Sequence, residues 1–320
     1  MDNTVYITGA GFSKAFSQKI PTIIDLSNDL NKNDLTEDYP NLASFISSIK
    51  DSFIHLNSSF LEVLSNILLS NKLQFSIENI SRFEILKHEF LSYIHFSLLP
   101  YTVDSDKSEL FKKFLLHAID TKGQIITFNY DLLIDTFIKN NLSQSKEYQI
   151  YINDYVGESE SILNGLIQEI SKSSKPYKKH GKLDILKLHG SLSWFKLPGN
   201  KNYDLNNIIK IYDRVEPNEF LLYNNPVFIP MAYSKDNYFE GNLFPFLWQK
   251  AYHWLNQCDN IVFIGYGFPE TDITNLNFFL QFKNKISDIV VIEDDNLKKL
   301  QAIFGEKVKP IGAFNYIDNL

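Results

Sequence analysis

Short runs of apolar residues, each bounded by glycine or polar residues, recur along the chain. Such runs are typical of strands that are buried on both faces of a parallel sheet. Five of them predict strands, at 4–8, 124–128, 184–188, 260–264 and 289–292. A sixth, shorter run at 308–310 is a candidate for the edge of the same sheet.

Apolar residues at helical spacing fill most of the interval between the first two predicted strands. Leu42, Phe45, Ile46 and Ile49 begin one such pattern, which continues to Leu69. Further helices are predicted at 80–99, 109–119, 132–140, 247–257, 272–282 and 296–304. Alternation of strands and helices predicts an α/β fold with a Rossmann-like, mostly parallel sheet and helices on both faces. We assign one domain, 1–320, with a helical insertion at 26–120.

Two polar stretches are predicted to be irregular. Residues 141–182 include a lysine-rich run at 172–182, which we interpret as a solvated loop. Residues 191–245 contain five prolines and are predicted to be a loop-rich insertion.

Composition narrows the class of protein. The chain has 320 residues, 44% of them hydrophobic, and one cysteine, Cys258, which excludes a disulfide framework and a cysteine-rich zinc site. The net charge is −7, and Arg82 and Arg214 are the only arginines, which argues against nucleic-acid binding. The N-terminal residues lack a signal-peptide pattern, and no apolar run approaches membrane-spanning length, so we expect a cytoplasmic protein without membrane contact.

Residues that could bind a ligand or take part in catalysis follow five of the predicted strands. Ligands of open parallel sheets bind beyond the carboxyl ends of the strands, so these residues should surround one crevice. The segments are Gly9-Ala10-Gly11-Phe12-Ser13, Asn129-Tyr130-Asp131, His189-Gly190, Gly265-Tyr266-Gly267 and Glu293-Asp294.

The glycine segments have two interpretations. Glycines after a first strand let the backbone approach a phosphate, or they serve a tight turn with no ligand. The first segment lacks the third glycine of the dinucleotide fingerprint, because position 14 is lysine. Gly265 and Gly267 likewise indicate a close backbone approach, and Asp272 is interpreted as the cap of the next helix.

Each polar residue also has a structural alternative. His189 could accept a proton near neutral pH or be structural. Asn129 could position a water or a sugar hydroxyl, or cap a turn. Asp131 could cap a helix or bind a ligand amide, and Glu293 or Asp294 could bind a ribose diol or be loop residues.

These motifs, in this order, resemble the sirtuin family, and more closely its bacterial NAD-hydrolysing branch. The first segment resembles the family's G-A-G-x-S loop. Thr127-Phe128-Asn129-Tyr130-Asp131 resembles its T-x-N-x-D element, and His189-Gly190 resembles its catalytic H-G pair. Gly265-Tyr266-Gly267 lies where the family has a G-x-S turn, and Val291-Ile292-Glu293 lies at its adenosine-side strand.

The resemblance implies roles for these residues. Asn129 would orient the nicotinamide ribose or the attacking water, His189 would be the general base, and Asp131 would hold the nicotinamide carboxamide. The NAD-binding residues would be Gly9, Ala10, Gly11, Phe12, Ser13, Thr127, Asp131, Gly265, Tyr266, Gly267, Glu293 and Asp294.

The chain also departs from the deacylating sirtuins. The zinc cysteines that follow the H-G pair there are missing from 191–257, and Lys19-Ile20-Pro21-Thr22-Ile23-Ile24 stands in place of a G-I-P-D-F-R segment. Position 267 is glycine where the family often has serine.

The resemblance and these departures together imply an NAD+ glycohydrolase that needs no metal and yields nicotinamide and ADP-ribose. They imply an abortive-infection effector of anti-phage defence, active as a homo-oligomer or with a partner protein from the same operon, such as an ATPase, nuclease or sensor. The alternatives are an NAD-dependent protein deacylase and a non-catalytic nucleotide-binding sensor or assembly module.

Overall fold

The structure, a computed structural model, describes eleven ranges of the chain. They are 3–32, 35–53, 59–69, 77–143, 149–158, 180–197, 202–211, 226–230, 236–269, 272–292 and 296–320. The strands within them are β1 Thr4–Thr8, β2 Gln124–Thr127, β3 Gln149–Asn153, β4 Gly157–Glu158, β5 His180–Lys187, β6 Gly190–Lys196, β7 Ile208–Lys210, β8 Pro226–Phe228, β9 Asn260–Ile264, β10 Ile286–Val290 and β11 Val308–Lys309. The α-helices are α1 Ala10–Phe16, α2 Ile23–Lys32, α3 Pro40–Phe53, α4 Phe60–Leu69, α5 Ile77–Leu98, α6 Ser108–Asp120, α7 Leu133–Phe137, α8 Leu243–Gln257, α9 Ile273–Leu280, α10 Leu297–Phe304 and α11 Gly312–Asp318.

Seven strands form one parallel sheet in the order β11-β10-β9-β1-β2-β5-β3. The register of the central strands is level at their carboxyl ends. Thr8 of β1 pairs with Thr127 of β2 on one side and with Ile264 of β9 on the other. Thr127 in turn pairs with Lys187 of β5. The predicted Rossmann-like, mostly parallel sheet is confirmed, and the residues after these strands emerge at one edge.

Helices cover both faces of this sheet. Alternate strand residues point to opposite faces, so each strand contributes to two cores. Val5 and Ile7 of β1 belong to a core shared with α8, α9 and α10. Tyr6, between them, belongs to a second core shared with α1, α6, α7 and α11. The all-apolar strands therefore reflect burial from two sides, as their sequence indicates.

The helical region between β1 and β2 has two parts. Helices α2 to α5 form a core of their own, which reaches the sheet domain through Tyr130, Leu132 and Phe228. Helix α6 packs instead on the main sheet, where Phe111 and Phe114 are fully buried. Within the predicted insertion at 26–120, only α2 to α5 therefore share a separate core, and α6 packs with the main sheet.

A second sheet, with the order β4-β7-β6-β8, corrects the prediction of a loop-rich segment at 191–245. Strand β6 is buried along its whole length although serines alternate in it. Ser191 and Ser193 bond to each other at 3.0 Å, and Ser191 also accepts a hydrogen bond from Lys187. Internal pairing of these hydroxyls lets a polar sequence form a buried strand.

The polar stretch 141–182 also contains more structure than predicted. Strand β3 lies within it and pairs in parallel with β5 at the sheet edge. The lysine-rich run at 172–182 falls mostly outside the described residues, since the description resumes at residue 180.

Candidate active site

A cavity of about 400 Å³ opens at the carboxyl edge of the main sheet. Asn129, Asp131 and His189 line it from the ends of β2 and β5, and Gly265 and Gly267 line it from the end of β9. The opposite wall comes from the helical region, between residues 20 and 26 and at Leu98. The strand ends thus bring most of the predicted site residues to a single space.

The glycines of the first loop interlock with those of the loop after β9. A Cβ atom on Gly9 would lie 2.7 Å from the carbonyl oxygen of Gly265, and one on Gly265 would lie 2.1 Å from the amide nitrogen of Phe12. Gly265 also has a φ of +67°. The Gly11 amide donates to the Gly265 carbonyl at 2.9 Å, and the Gly9 amide donates to Ile264 at 3.2 Å. Gly9 and Gly265 are therefore required by contact between two loops, independently of any ligand.

Gly267 differs from these glycines. Among the described residues, a Cβ atom there would meet no atom nearer than the Asn296 side-chain nitrogen at 3.9 Å, and φ is not positive. Nothing in this described part of the chain demands glycine at the position. The absent side chain leaves room on the cavity wall, where a ligand could approach the backbone.

Asn129 is fixed by a short hydrogen-bond chain. Its Nδ2 donates to the Gly9 carbonyl and to Ser13 Oγ, both at 2.8 Å, and Ser13 Oγ donates to Asp131 Oδ2 at 2.6 Å. The Leu133 amide donates to the other oxygen of Asp131 at 3.0 Å. These bonds orient the planar Asn129 amide so that Oδ1 remains an acceptor for a ligand. Burial raises the pKa of Asp131 above its usual range, opposed by these hydrogen bonds.

His189 stands between an aromatic ring and a carboxylate. The Phe128 ring meets the imidazole edge to face, with centroids 5.0 Å apart. Nε2 lies 3.9 Å from Asp272 Oδ1, which is beyond hydrogen-bond length but within strong electrostatic range. The backbone turns sharply at Gly190, whose φ is +78° and whose missing Cβ gives room to the Val227 carbonyl. Gly190 thus serves the close approach of β8 to the end of β5.

Asp272 is held by Tyr266, a residue that the sequence placed among the NAD contacts. Tyr266 donates its hydroxyl to Asp272 Oδ2 at 2.9 Å and accepts from Asn275 Nδ2 at 3.1 Å. Its ring stacks on Phe128 at 4.4 Å. Burial raises the pKa of Tyr266 well above its usual range, so the phenol remains a neutral donor.

Sequence reasoning missed Asp272 as a site residue. It occupies the cap position of α9, as predicted, but its side chain makes no capping hydrogen bond. It is only 5% exposed and lines the cavity next to His189. A buried carboxylate beside an imidazole is a feature that no local sequence pattern distinguishes from a helix cap.

Two predicted NAD contacts do not line the cavity. Phe12 is buried among Phe16, Phe111 and Phe114, where a phenyl ring contributes about 1.5–3 kcal/mol by burial. Thr127 lies below the cavity, where its Oγ1 accepts the Asn129 amide at 3.1 Å. Glu293 and Asp294 lie outside the described residues. The remaining predicted residues line the cavity: Gly9, Ala10, Gly11, Ser13, Asn129, Asp131, His189, Gly265, Tyr266 and Gly267.

A buried ion pair supports the floor of the site. Lys187 Nζ lies 2.6 Å from Asp135 Oδ2, and their side chains are 2% and 1% exposed. Lys187 is the last residue of β5, two positions before His189, and it also lines a small space beneath Asp131. Its positive charge favours the ionised form of Asp131, whereas Asp135 opposes it.

Two further observations concern metals and membranes. In the described part of the chain, no group of three or more His, Cys, Asp or Glu side chains is arranged to hold a metal ion. No helix among the described residues is both long and apolar enough to cross a membrane.

Comparison with known proteins gives structural matches only. No family profile and no curated protein matches the sequence. A solved Sir2 homologue in complex with NAD matches with a TM-score of 0.50 and 14% identity, over 99% of this chain and 87% of that chain. A phenylalanine-to-alanine variant of a Sir2 homologue with ADP-ribose matches with a TM-score of 0.48 and 13% identity, over 99% and 89% of the two chains. The chain therefore has a sirtuin-like fold.

Proposed function

We propose that this protein is an NAD+ glycohydrolase. The observation that carries the proposal is that Asn129 and His189, from adjacent strand ends, line one cavity with the open backbone at Gly267. The matched Sir2 homologue is described as an NAD complex, which makes NAD+ the first substrate to test. Exposed backbone at Ala10 and Gly11 would face the pyrophosphate on the same wall.

The proposed reaction breaks the bond between nicotinamide and the ribose anomeric carbon. The electron pair goes to the nicotinamide nitrogen, water supplies an oxygen to the anomeric carbon, and the water proton leaves through His189. Nicotinamide departs as a neutral molecule, so the leaving group needs no proton. Positive charge develops on the ribose, as in other glycoside cleavages, and the protein must hold the sugar and the water in line.

The contacts of Asn129 suit it to this positioning. Both of its N–H bonds are used within the protein, on Gly9 and Ser13, so it presents a fixed carbonyl acceptor to a ribose hydroxyl or to water. Asp131 acts through Ser13 on this arrangement. A pre-set acceptor does not have to reorganise during the reaction, and such groups stabilise the transition state for that reason.

The test is chromatography of NAD+ and its products from phage-challenged cells that express the protein together with its native operon. We expect nicotinamide and ADP-ribose in equal amounts, and loss of both with Asn129→Ala and with His189→Ala at unchanged melting temperature. His253→Ala, at an exposed position of α8, is the matched control and should retain wild-type turnover. Wild-type turnover in either site variant would remove that residue from the mechanism.

Addition of an acyl-lysine peptide separates hydrolysis from deacylation. A glycohydrolase consumes NAD+ at the same rate with and without the peptide. NAD+ consumption that requires the peptide and yields the free lysine would establish a deacylase instead. Tight NAD+ binding without turnover would favour the nucleotide-binding sensor or assembly module.

For the cellular role we propose an abortive-infection effector, controlled by assembly or by a partner protein encoded in the same operon. An unregulated NAD+ hydrolase would deplete its own cell, which is the reason to expect latency. The measurement is NAD+ content of cells that carry the native operon, before and after phage challenge. NAD+ should fall only after challenge, and only with intact Asn129.

A further inference from the structure

We infer that Asp272 is the positioning residue of His189: its carboxylate, anchored by Tyr266, orients the imidazole and favours its protonated form. This inference rests on the proposed function for its catalytic consequence. The electrostatic coupling between the Asp272 carboxylate and the His189 imidazole can be measured without any substrate.

The geometry supplies the first argument. Asp272 Oδ1 lies 3.9 Å from His189 Nε2, and the two side chains are 7% and 10% exposed. Charges in so dry a setting interact far more strongly than surface charges at equal distance. A small closure of the site would bring the two atoms to hydrogen-bond length, as catalytic contacts often tighten on ligand binding.

The anchoring of Asp272 supplies the second argument. A carboxylate that merely capped α9 would bond to the first amides of that helix, but this one makes no such bond. Its Oδ2 instead accepts the Tyr266 hydroxyl, which Asn275 Nδ2 orients in turn. The protein therefore fixes one carboxylate oxygen through Tyr266, and the other lies 3.9 Å from the imidazole.

The surroundings of His189 make Asp272 the group to test. Phe128 covers the ring from β2 and carries no charge. Burial raises the pKa of Tyr130 and of Tyr266 well above their usual range, so both phenols stay neutral. Lys14 on the cavity wall is engaged by the Ile20 carbonyl and Asp25. Among the described residues that line the cavity, the charged or titratable groups besides His189 are Lys14, Tyr130, Asp131, Tyr266 and Asp272.

The experiment uses the full chain with isotopically labelled histidine. The Cε1–H resonance of His189, identified by its loss in His189→Ala, is followed by NMR from pH 4 to pH 9. In Asp272→Asn, which keeps the shape of the side chain, the midpoint should fall by about one pH unit because a neighbouring negative charge is lost. Asp106→Asn, at an exposed position before α6, is the control and should leave the midpoint unchanged.

Two further readouts complete the test. Nicotinamide release by Asp272→Asn should show kcat lowered about tenfold with KM within about twofold, and the acidic limb of the rate profile moved to lower pH. Tyr266→Phe, which keeps the stack on Phe128 but frees the carboxylate, should move the midpoint in the same direction by a smaller amount. This second variant decides the matter if Asp272→Asn does not fold.

The outcomes separate the two proposals. A His189 midpoint in Asp272→Asn within about 0.2 pH units of the wild type would overturn the inference, whatever the activity. If the midpoint shifts as expected but the protein releases no nicotinamide even when it is expressed with its native operon and challenged with phage, the coupling is upheld and the glycohydrolase proposal is removed.

Discussion

Replacing Gly265 by alanine tests the interlock between the two glycine loops. The new Cβ would lie 2.1 Å from the Phe12 amide nitrogen and 2.4 Å from the Gly11 carbonyl carbon, both backbone atoms that cannot rotate away. The φ of +67° adds about 1–2 kcal/mol of conformational strain for a residue with a side chain. Overlap with a packed neighbour adds about 1–3 kcal/mol. We therefore expect the free energy of unfolding to fall by about 3 kcal/mol.

A control variant separates the two contributions. Gly312 has a similar φ of +72°, but its Cβ would lie 3.7 Å from the Ile292 side chain, an ordinary contact. Gly312→Ala should therefore lower the free energy of unfolding by the strain alone, about 1–2 kcal/mol.

Urea unfolding followed by circular dichroism measures both values, and nicotinamide release measures the effect on the site. Gly265→Ala should lose most activity even where it is folded. A displaced Gly265 loop would also displace the first glycine loop that packs on it, and with it Gly11 and Ser13. If Gly265→Ala and Gly312→Ala proved equally stable, the overlap would be absent and the interlock would be refuted.

The remaining predictions concern three other positions. Lys187→Met should destabilise the protein by about 3–5 kcal/mol because it removes the cation that lies 2.6 Å from the buried Asp135 carboxylate, and adding Asp135→Leu should recover most of that loss in urea unfolding. Burial lowers the pKa of His95 to about 4, against about 6.5 when unfolded, so its contribution to stability is complete above pH 6.5 and is lost as the pH falls towards 4. His95→Leu should remove up to about 3 kcal/mol of that pH dependence; an unchanged slope of unfolding free energy against pH would contradict this assignment. Gly267→Ala should change stability by less than about 0.5 kcal/mol but raise the KM for NAD+ several-fold, and an unaltered KM would mean that no ligand approaches there.

Most of the main sheet could be predicted because β1, β2 and β9 are largely apolar and each run is visible by itself, whereas β3 lies in a polar stretch and was not predicted. The site could be predicted because parallel strands deliver their following residues to one edge, which requires no knowledge of tertiary contacts. Asn129 and His189 were placed together on this argument alone.

The features that could not be predicted from the sequence depend on contacts between residues that are far apart in the chain. Strand β6 was missed because the hydroxyls of Ser191 and Ser193 find partners in Lys187 and in each other, which the local sequence does not show. Phe12 was taken for a ligand contact because its motif does not show that α1 turns that ring into the core. Asp272 looked like a helix cap, and only the fold brings it next to a histidine 83 positions earlier in the chain.

The pairing of β1 with β9 has a consequence for biosynthesis. Thr4 aligns with Asn260, so β1 lies beside a strand that the ribosome makes about 256 residues later. At about 5–20 residues per second, the intervening chain takes on the order of 10–50 s to synthesise. Throughout that interval Gly9 and Gly11 lack the Gly265 loop against which they pack. A nascent chain therefore has no finished cavity until the Gly265 loop has been made and has packed against the first glycine loop.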